Sequence, residues 1–202
     1  MIGPVVTAFP VQIPLGFHPS DVDKDGDDVN AAGKRCPGYD PPDYRPRWGG
    51  GFDAPRGPKK LAHRAIDIMA AEGALIVPPG PAEVLRVELT EKGGNCLYLR
   101  DERGWVWYFG HMRDRPFVDP GAIVDPATTV LGYVGRTGNA VRTYHTARGD
   151  LKRGCPHLHA SLTRPAGSSA KAIRAVAAVR AEKVDPVPFL APVYDASGWK
   201  RR

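Results

Sequence analysis

The sequence predicts an all-β, mainly antiparallel fold with one late helix and an irregular N-terminal arm. Three observations point there. The 202 residues include 23 Gly and 21 Pro, which fall between short apolar runs, as turn residues do. The runs 83–89, 96–100 and 105–109 are joined by short polar turns and read as an antiparallel meander. A single stretch, 169–181, shows helical spacing: Ile173, Val176, Ala177 and Arg180 follow i, i+3, i+4, i+7 behind Ser168 or Ser169 as cap.

Residues 1–54 read as an extension or arm, 55–191 as the main domain and 192–202 as a basic tail. The apolar start of the arm is interrupted by Pro4, Pro10 and Pro14 and has no basic region ahead of an apolar core, so there is no clear signal peptide. No stretch has the length and apolarity of a membrane span. The run Asp21 to Asp28 imitates the first half of a calcium loop, with Gly26 at the turn. Its closing carboxylate position falls at Ala32, so a solvated acidic turn is expected. Residues 37–50 are expected to wrap the main domain with little regular structure, anchored by Tyr39, Tyr44 and Trp48.

Within the main domain Ile66–Met69, Ala74–Val77 and Thr129–Val134 add short strands, and Val118 to Pro126 reads as two turns. Residues 140–154 form a basic loop carrying Arg142, Tyr144, His145, Arg148, Lys152 and Arg153. Asp185 to Leu190 is expected to be a closing extended segment. A hydrophobic fraction of 42% supports a core. The formal charge of +6 favours acidic partners through steering, but with no nucleic-acid motif present no nucleic-acid partner is expected. Eight Lys or Arg against three Asp or Glu in 164–202 place much of that surplus late in the chain. Nothing in the sequence sets the oligomeric state. Three cysteines, Cys36, Cys96 and Cys155, allow at most one internal disulfide.

Three stretches carry the chemistry. In Gly154 to Leu162 a strand would place Cys155, His157 and His159 on one face and Leu158, Ala160 and Leu162 on the other. Two such histidines suit one metal site, or one ligand and one proton carrier, although an alternating strand with solvent-facing histidines needs no function. His63 and Asp67 are four apart, and Ile68 and the nearby glycines favour an extended form. With one histidine of 157–159 they make a His₂Asp set for Zn²⁺ with a position left for water; a His–Asp pair alone is also an ordinary structural hydrogen bond. His111 follows an aromatic strand, with Gly110 allowing a close turn; beside a metal it would donate to a developing oxyanion.

His63-x-x-x-Asp67, Tyr108-x-x-His111 and His157-Leu158-His159, in this order and with Gly and Thr-Gly turns between them, resemble the M23 peptidase family, the lysostaphin/LytM-type zinc endopeptidases of bacterial cell walls. Val118 to Val124, Val130 to Gly138 and Val184 to Leu190 echo further family stretches, and the likeness spans about 55 to 191. The resemblance implies an antiparallel β-sheet fold with a narrow groove over one Zn²⁺ ion. It implies His63, Asp67 and His159 as zinc ligands, His157 as general base and His111 as a second catalytic histidine. It further implies a peptidoglycan peptide substrate, with glycine or D-alanine beside the scissile bond. The place of action would be the bacterial cell wall, reached by secretion, in the periplasm or by phage delivery. The alternative is a non-catalytic LytM-like protein that binds the wall or regulates other hydrolases; such proteins typically lose zinc ligands, whereas all five positions are present here. Ala65 stands where the family usually has glycine, which predicts an altered local backbone. Cys155 is expected to be a buried small residue rather than a disulfide partner or extra ligand.

Overall fold

Strands with one apolar face must bury it, and the computed structural model shows those faces meeting in one core. The structure describes residues 2–14, 36, 44–56, 59–141, 144–145, 151–152, 154–165 and 182–197. From the N-terminus, β1 (Val11–Gln12) is followed by β2 (Arg47–Trp48), β3 (Pro55–Arg56), β4 (Leu61–Ala62) and β5 (Ile66–Met69). β6 (Leu75–Ile76) precedes a meander of β7 (Ala82–Thr90), β8 (Gly94–Asp101) and β9 (Val106–Met112). Next come β10 (Ile123–Val124), β11 (Gly132–Tyr133), a 3-10 turn at Gly138–Val141, β12 (Tyr144–His145) and β13 (Leu151–Lys152). β14 (His157–Thr163), β15 (Lys183–Val184) and helix α1 (Val187–Ala196) complete the described elements.

One sheet has the order β10-β7-β8-β9-β14-β5-β2, with β15 also on β14; a smaller one has the order β1-β6-β11. The hairpins β3–β4 and β12–β13 stand apart, and every strand pairing is antiparallel. The expected all-β, mainly antiparallel architecture is therefore the observed one. Alternation sets the faces. Leu158, Ala160 and Leu162 of β14, Ile66 and Ile68 of β5, and Trp107 and Phe109 of β9 all join the core. The intervening residues of the same strands, His157, His159 and Asp67 among them, are left to the other face.

The described parts of the N-terminal segment pack against this body. Phe9 and Val11 are buried in the core, and β2 pairs with β5 at the sheet edge. Trp48 meets Phe9 edge-on at 5.4 Å between ring centroids, and the Tyr194 hydroxyl donates to the Pro46 carbonyl at 2.9 Å.

Two expectations are corrected. Residues 187–196 are helical rather than extended. Pro188 sits in the first turn, where a missing N–H is harmless, and the Leu190 N–H reaches the Pro186 carbonyl at 3.1 Å. Leu190, Ala191 and Tyr194 are the buried residues of α1, so packing holds a helix that three prolines at 186, 188 and 192 conceal in the sequence. Cys155 is not a lone buried residue: it forms a disulfide with Cys36, with a Cα–Cα distance of 5.5 Å across a separation of 119 residues. No spacing rule links cysteines so far apart. The helix expected at 169–181, the acidic run 21–28 and residues 198–202 lie outside the described residues, as do Arg142, Arg148 and Arg153 of the basic loop.

Candidate metal centre and active site

Register brings the first two groups together. His159 of β14 stands directly opposite Asp67 of β5, and cross-strand partners share a face. His63 arrives from the turn after β4. Its N–H bonds to the Ala54 carbonyl at 3.0 Å and the next N–H, of Arg64, to the Phe52 carbonyl at 2.7 Å. The left-handed backbone of this turn falls at Arg64 (φ 56°) and not at Ala65, whose methyl is fully buried. Alanine in place of glycine is thereby accommodated.

The result is a tight set of donor atoms. His63 Nε2 lies 3.2 Å from Asp67 Oδ1 and 3.1 Å from His159 Nδ1, and His159 Nδ1 lies 3.2 Å from the same Asp67 oxygen. Four ligands at Zn²⁺ distances of about 2.0–2.1 Å would sit about 3.3–3.4 Å apart along a tetrahedron's edges, so one face of such a tetrahedron matches this triangle. His63 Nδ1 lies 3.2 Å from the Gly51 carbonyl, which can only accept; a ring with its proton there turns the Nε2 lone pair toward Asp67 Oδ1, the arrangement that a cation between them requires. Lone pairs converging on one point fit a cation. These residues fit a zinc ion.

Asp67 divides its carboxylate. Oδ1 faces the histidines, while Oδ2 accepts from the Arg56 guanidinium. Arg56 Nη2 also lies 3.2 and 3.3 Å from the two ring nitrogens of His63. Gly50 leaves room for this: a Cβ there would collide with the Arg56 guanidinium and fall 2.8 Å from Asp67 Oδ2. Without metal, burial would raise the Asp67 pKa, but protons on the facing nitrogens of His159 and His63, donated to its carboxylate, and the positive charge of His157 and His63 when protonated hold it well below the usual carboxylate range. Burial pushes His159 the other way, towards the neutral form. Arg56 and Gly50 carried no signal in the sequence beyond composition.

Two further imidazoles border the set. His157 Nε2 is 3.7 Å from Asp67 Oδ1, and its Nδ1–H donates to the Cys155 carbonyl at 2.9 Å. His111 reaches the same face by an irregularity. Gly110 is the partner of His159, so strict alternation would turn His111 away. Between Asn95 and Leu97 of β8 the partner strand β9 gains a residue, and His111 takes a left-handed φ of 63°. This bulge re-aims the side chain, placing its ring centroid 4.8 Å from that of His157 and 5.6 Å from that of His159. The close turn expected at Gly110 is thus made by His111 itself. Gly110 is needed for another reason: a Cβ there would sit 2.9 Å from the Tyr108 hydroxyl.

Thr137 fixes His111. Its carbonyl accepts the His111 Nδ1–H at 2.8 Å, and its hydroxyl donates to the Met112 carbonyl at 2.7 Å while accepting the Asn95 N–H at 3.0 Å. Burial, with the charges of His157 and His159, lowers the His111 pKa to about 4. A neutral His111 with its proton on Nδ1 has only a lone pair at Nε2. Of the two donor forms expected, protonated or neutral, only the protonated ring can donate from that atom. The Thr-Gly turn was visible in the sequence; that its carbonyl orients an imidazole was not. Of the basic loop the structure describes residues 140, 141 and 154 and the backbone hairpin β12–β13.

Comparison with known proteins agrees in family and fold. The sequence model of peptidase family M23 matches residues 61–174, over half of the chain. LytU is similar in structure, with 25% identity over 76% of this chain and 90% of its own and a TM-score of 0.54. The catalytic domain of the antimicrobial peptidase lysostaphin from Staphylococcus simulans is 21% identical over 72% of this chain and 92% of its own, with a TM-score of 0.52. A LytM protein of Ruminococcus gnavus is 19% identical over 95% of this chain and 61% of its own, with a TM-score of 0.60. The last two likenesses bear on the fold alone. Among curated proteins, none matches the sequence.

Proposed function

The chain belongs to peptidase family M23, and from that premise we propose that it is a zinc-dependent endopeptidase hydrolysing peptide bonds of peptidoglycan, in stem peptides or cross-bridges. The observation that carries this is the convergence of His63 Nε2, Asp67 Oδ1 and His159 Nδ1 at 3.1–3.2 Å, flanked by two imidazoles whose other nitrogens are tied to carbonyls. In this reading His63, Asp67 and His159 hold one zinc ion, and His111 and His157 are catalytic. Bound there, zinc supplies Lewis acidity, polarising a peptide carbonyl and easing the ionisation of water near neutral pH.

The remaining work falls to the chain. His157, with Nδ1–H held by the Cys155 carbonyl, offers Nε2 to accept the proton of the attacking water and to return it to the leaving amine. His111 is neutral at pH 7 and accepts at Nε2. As imidazolium, its Nε2 proton taken up from solvent water before attack, His111 becomes the donor that faces the developing oxyanion, an interaction stronger in the transition state than before it. Arg56 keeps Asp67 Oδ2 occupied and so leaves Oδ1 as the single donating oxygen. The surplus of six positive charges favours approach to an anionic cell wall.

Digestion of several peptidoglycan chemotypes, with fragments identified by mass, tests the proposal. Peptides cut at one bond type, with a new amine and carboxylate at each cut, are expected. Intact peptidoglycan recovered bound to the zinc-loaded protein would favour the non-catalytic reading instead.

A further inference from the structure

The disulfide lies beside the candidate general base, and its placement has a consequence for it. On the β9 side the β14 ladder stops at His159 opposite Gly110; on the β5 side it runs only to His157 opposite Met69. Residues 154–156 therefore lie beyond both ladders. Pro156 has no N–H to give, so the approach to His157 is tied by the His157 N–H to the Gly135 carbonyl at 3.1 Å and by the covalent bond to Cys36. Cys36 and Ala71 are fully buried, and Cys155 packs against them, two residues beyond the end of β5. The Cys155 carbonyl is the group that accepts the His157 Nδ1–H.

We propose that the Cys36–Cys155 disulfide is a positioning element for His157. It holds the Cys155 carbonyl where it selects the Nδ1–H tautomer and leaves Nε2 free toward Asp67. This rests on the reading of His157 as the base of the reaction. With the bond opened, the carbonyl is free to turn, the ring samples both tautomers, and the fraction with Nε2 available falls. The enzyme then works fully only where thiols are kept oxidised, outside a reducing cytoplasm. Cys155 and Cys36 act through His157 and do not touch substrate.

The test uses ¹⁵N-histidine-labelled, zinc-loaded protein in three forms: oxidised, reduced with a water-soluble phosphine, and the double variant Cys36→Ala/Cys155→Ala. In the reduction the phosphine takes oxygen from water and becomes its oxide, and the disulfide becomes two thiols. The ring ¹⁵N shifts of His157, zinc content, and kcat and KM on peptidoglycan are read for each. Expected are a single Nδ1–H tautomer in the oxidised form and averaged shifts in the other two. The expected kcat loss is about 2–5-fold, the factor by which the Nδ1–H fraction falls when both tautomers are sampled, with KM and zinc content unchanged. Identical His157 shifts in all three forms would overturn the proposal, as would kcat unchanged after reduction. Should the double variant not fold, the reduced protein decides. If the oxidised protein binds zinc yet cleaves nothing, the peptidase reading fails, while the tautomer readout still decides this one.

Discussion

Asp67 and His159 face each other across adjacent antiparallel strands, with His159 Nδ1 3.2 Å from Asp67 Oδ1. The pair is a product of register. Sliding β14 past β5 by one residue would carry His159 away from Asp67 and turn the core row Leu158, Ala160 and Leu162 outward. The burial that fixes the sheet therefore also fixes the site, and side chains 92 residues apart meet without any local motif joining them.

Separate roles for ligands and proton carriers predict separable losses. His111→Ala and His157→Ala should retain most of the bound zinc while turnover on peptidoglycan falls about 10²–10⁴-fold. Wild-type turnover in either variant would remove that residue's role.

Thr137 is expected to matter through His111. Thr137→Val removes the bonds to Asn95 and Met112 and should cost about 1–3 kcal/mol in urea unfolding, with a fall in kcat. Thr137→Ser, which keeps the hydroxyl, should restore both. Equal behaviour of the two variants would detach the hydroxyl from the site.

The depressed pKa of His111 predicts a pH window for stability. Between its ordinary value near 6.5 and about 4 the unfolded chain binds a proton that the folded chain refuses. Stability is thus full above about pH 6.5 and is lost as pH falls toward 4. In metal-free protein, urea unfolding should show about 2 kcal/mol more loss between pH 7 and pH 5 for wild type than for His111→Asn, an asparagine being tolerated at left-handed φ. Equal losses would contradict the depressed pKa.

Tying residues 36 and 155 together closes a long loop in the unfolded chain. By the loop-entropy estimate, Cys36→Ala/Cys155→Ala should lower unfolding free energy by about 4–5 kcal/mol. A cost under about 1 kcal/mol would mean that the unfolded chain gains little freedom from the cut.

Much of this was legible because strand periodicity is local. His157, Leu158 and His159 announce two faces, and the meander of β7, β8 and β9 follows from turns at 92–95 and 101–104; β9 starts one residue later than expected, and the other strand ends run one to three residues further. What was not legible depends on relations between strands. That His111 points toward the histidines follows from an extra residue in β9 relative to β8, which no window of one strand contains. The partnership of Cys36 and Cys155 and the reach of Arg56 to Asp67 are likewise products of folding at a distance. In α1, prolines that usually mark extended chain sit in and beyond a first turn whose burial outweighs them.

Three side chains holding one ion are the centre of the proposed site, and metal analysis of purified protein reads this directly. Wild type is predicted to hold one zinc per chain, and His63→Ala and Asp67→Ala, folded by circular dichroism, are predicted to lose it. Full zinc occupancy in both variants, or none in wild type supplied with zinc, would contradict it.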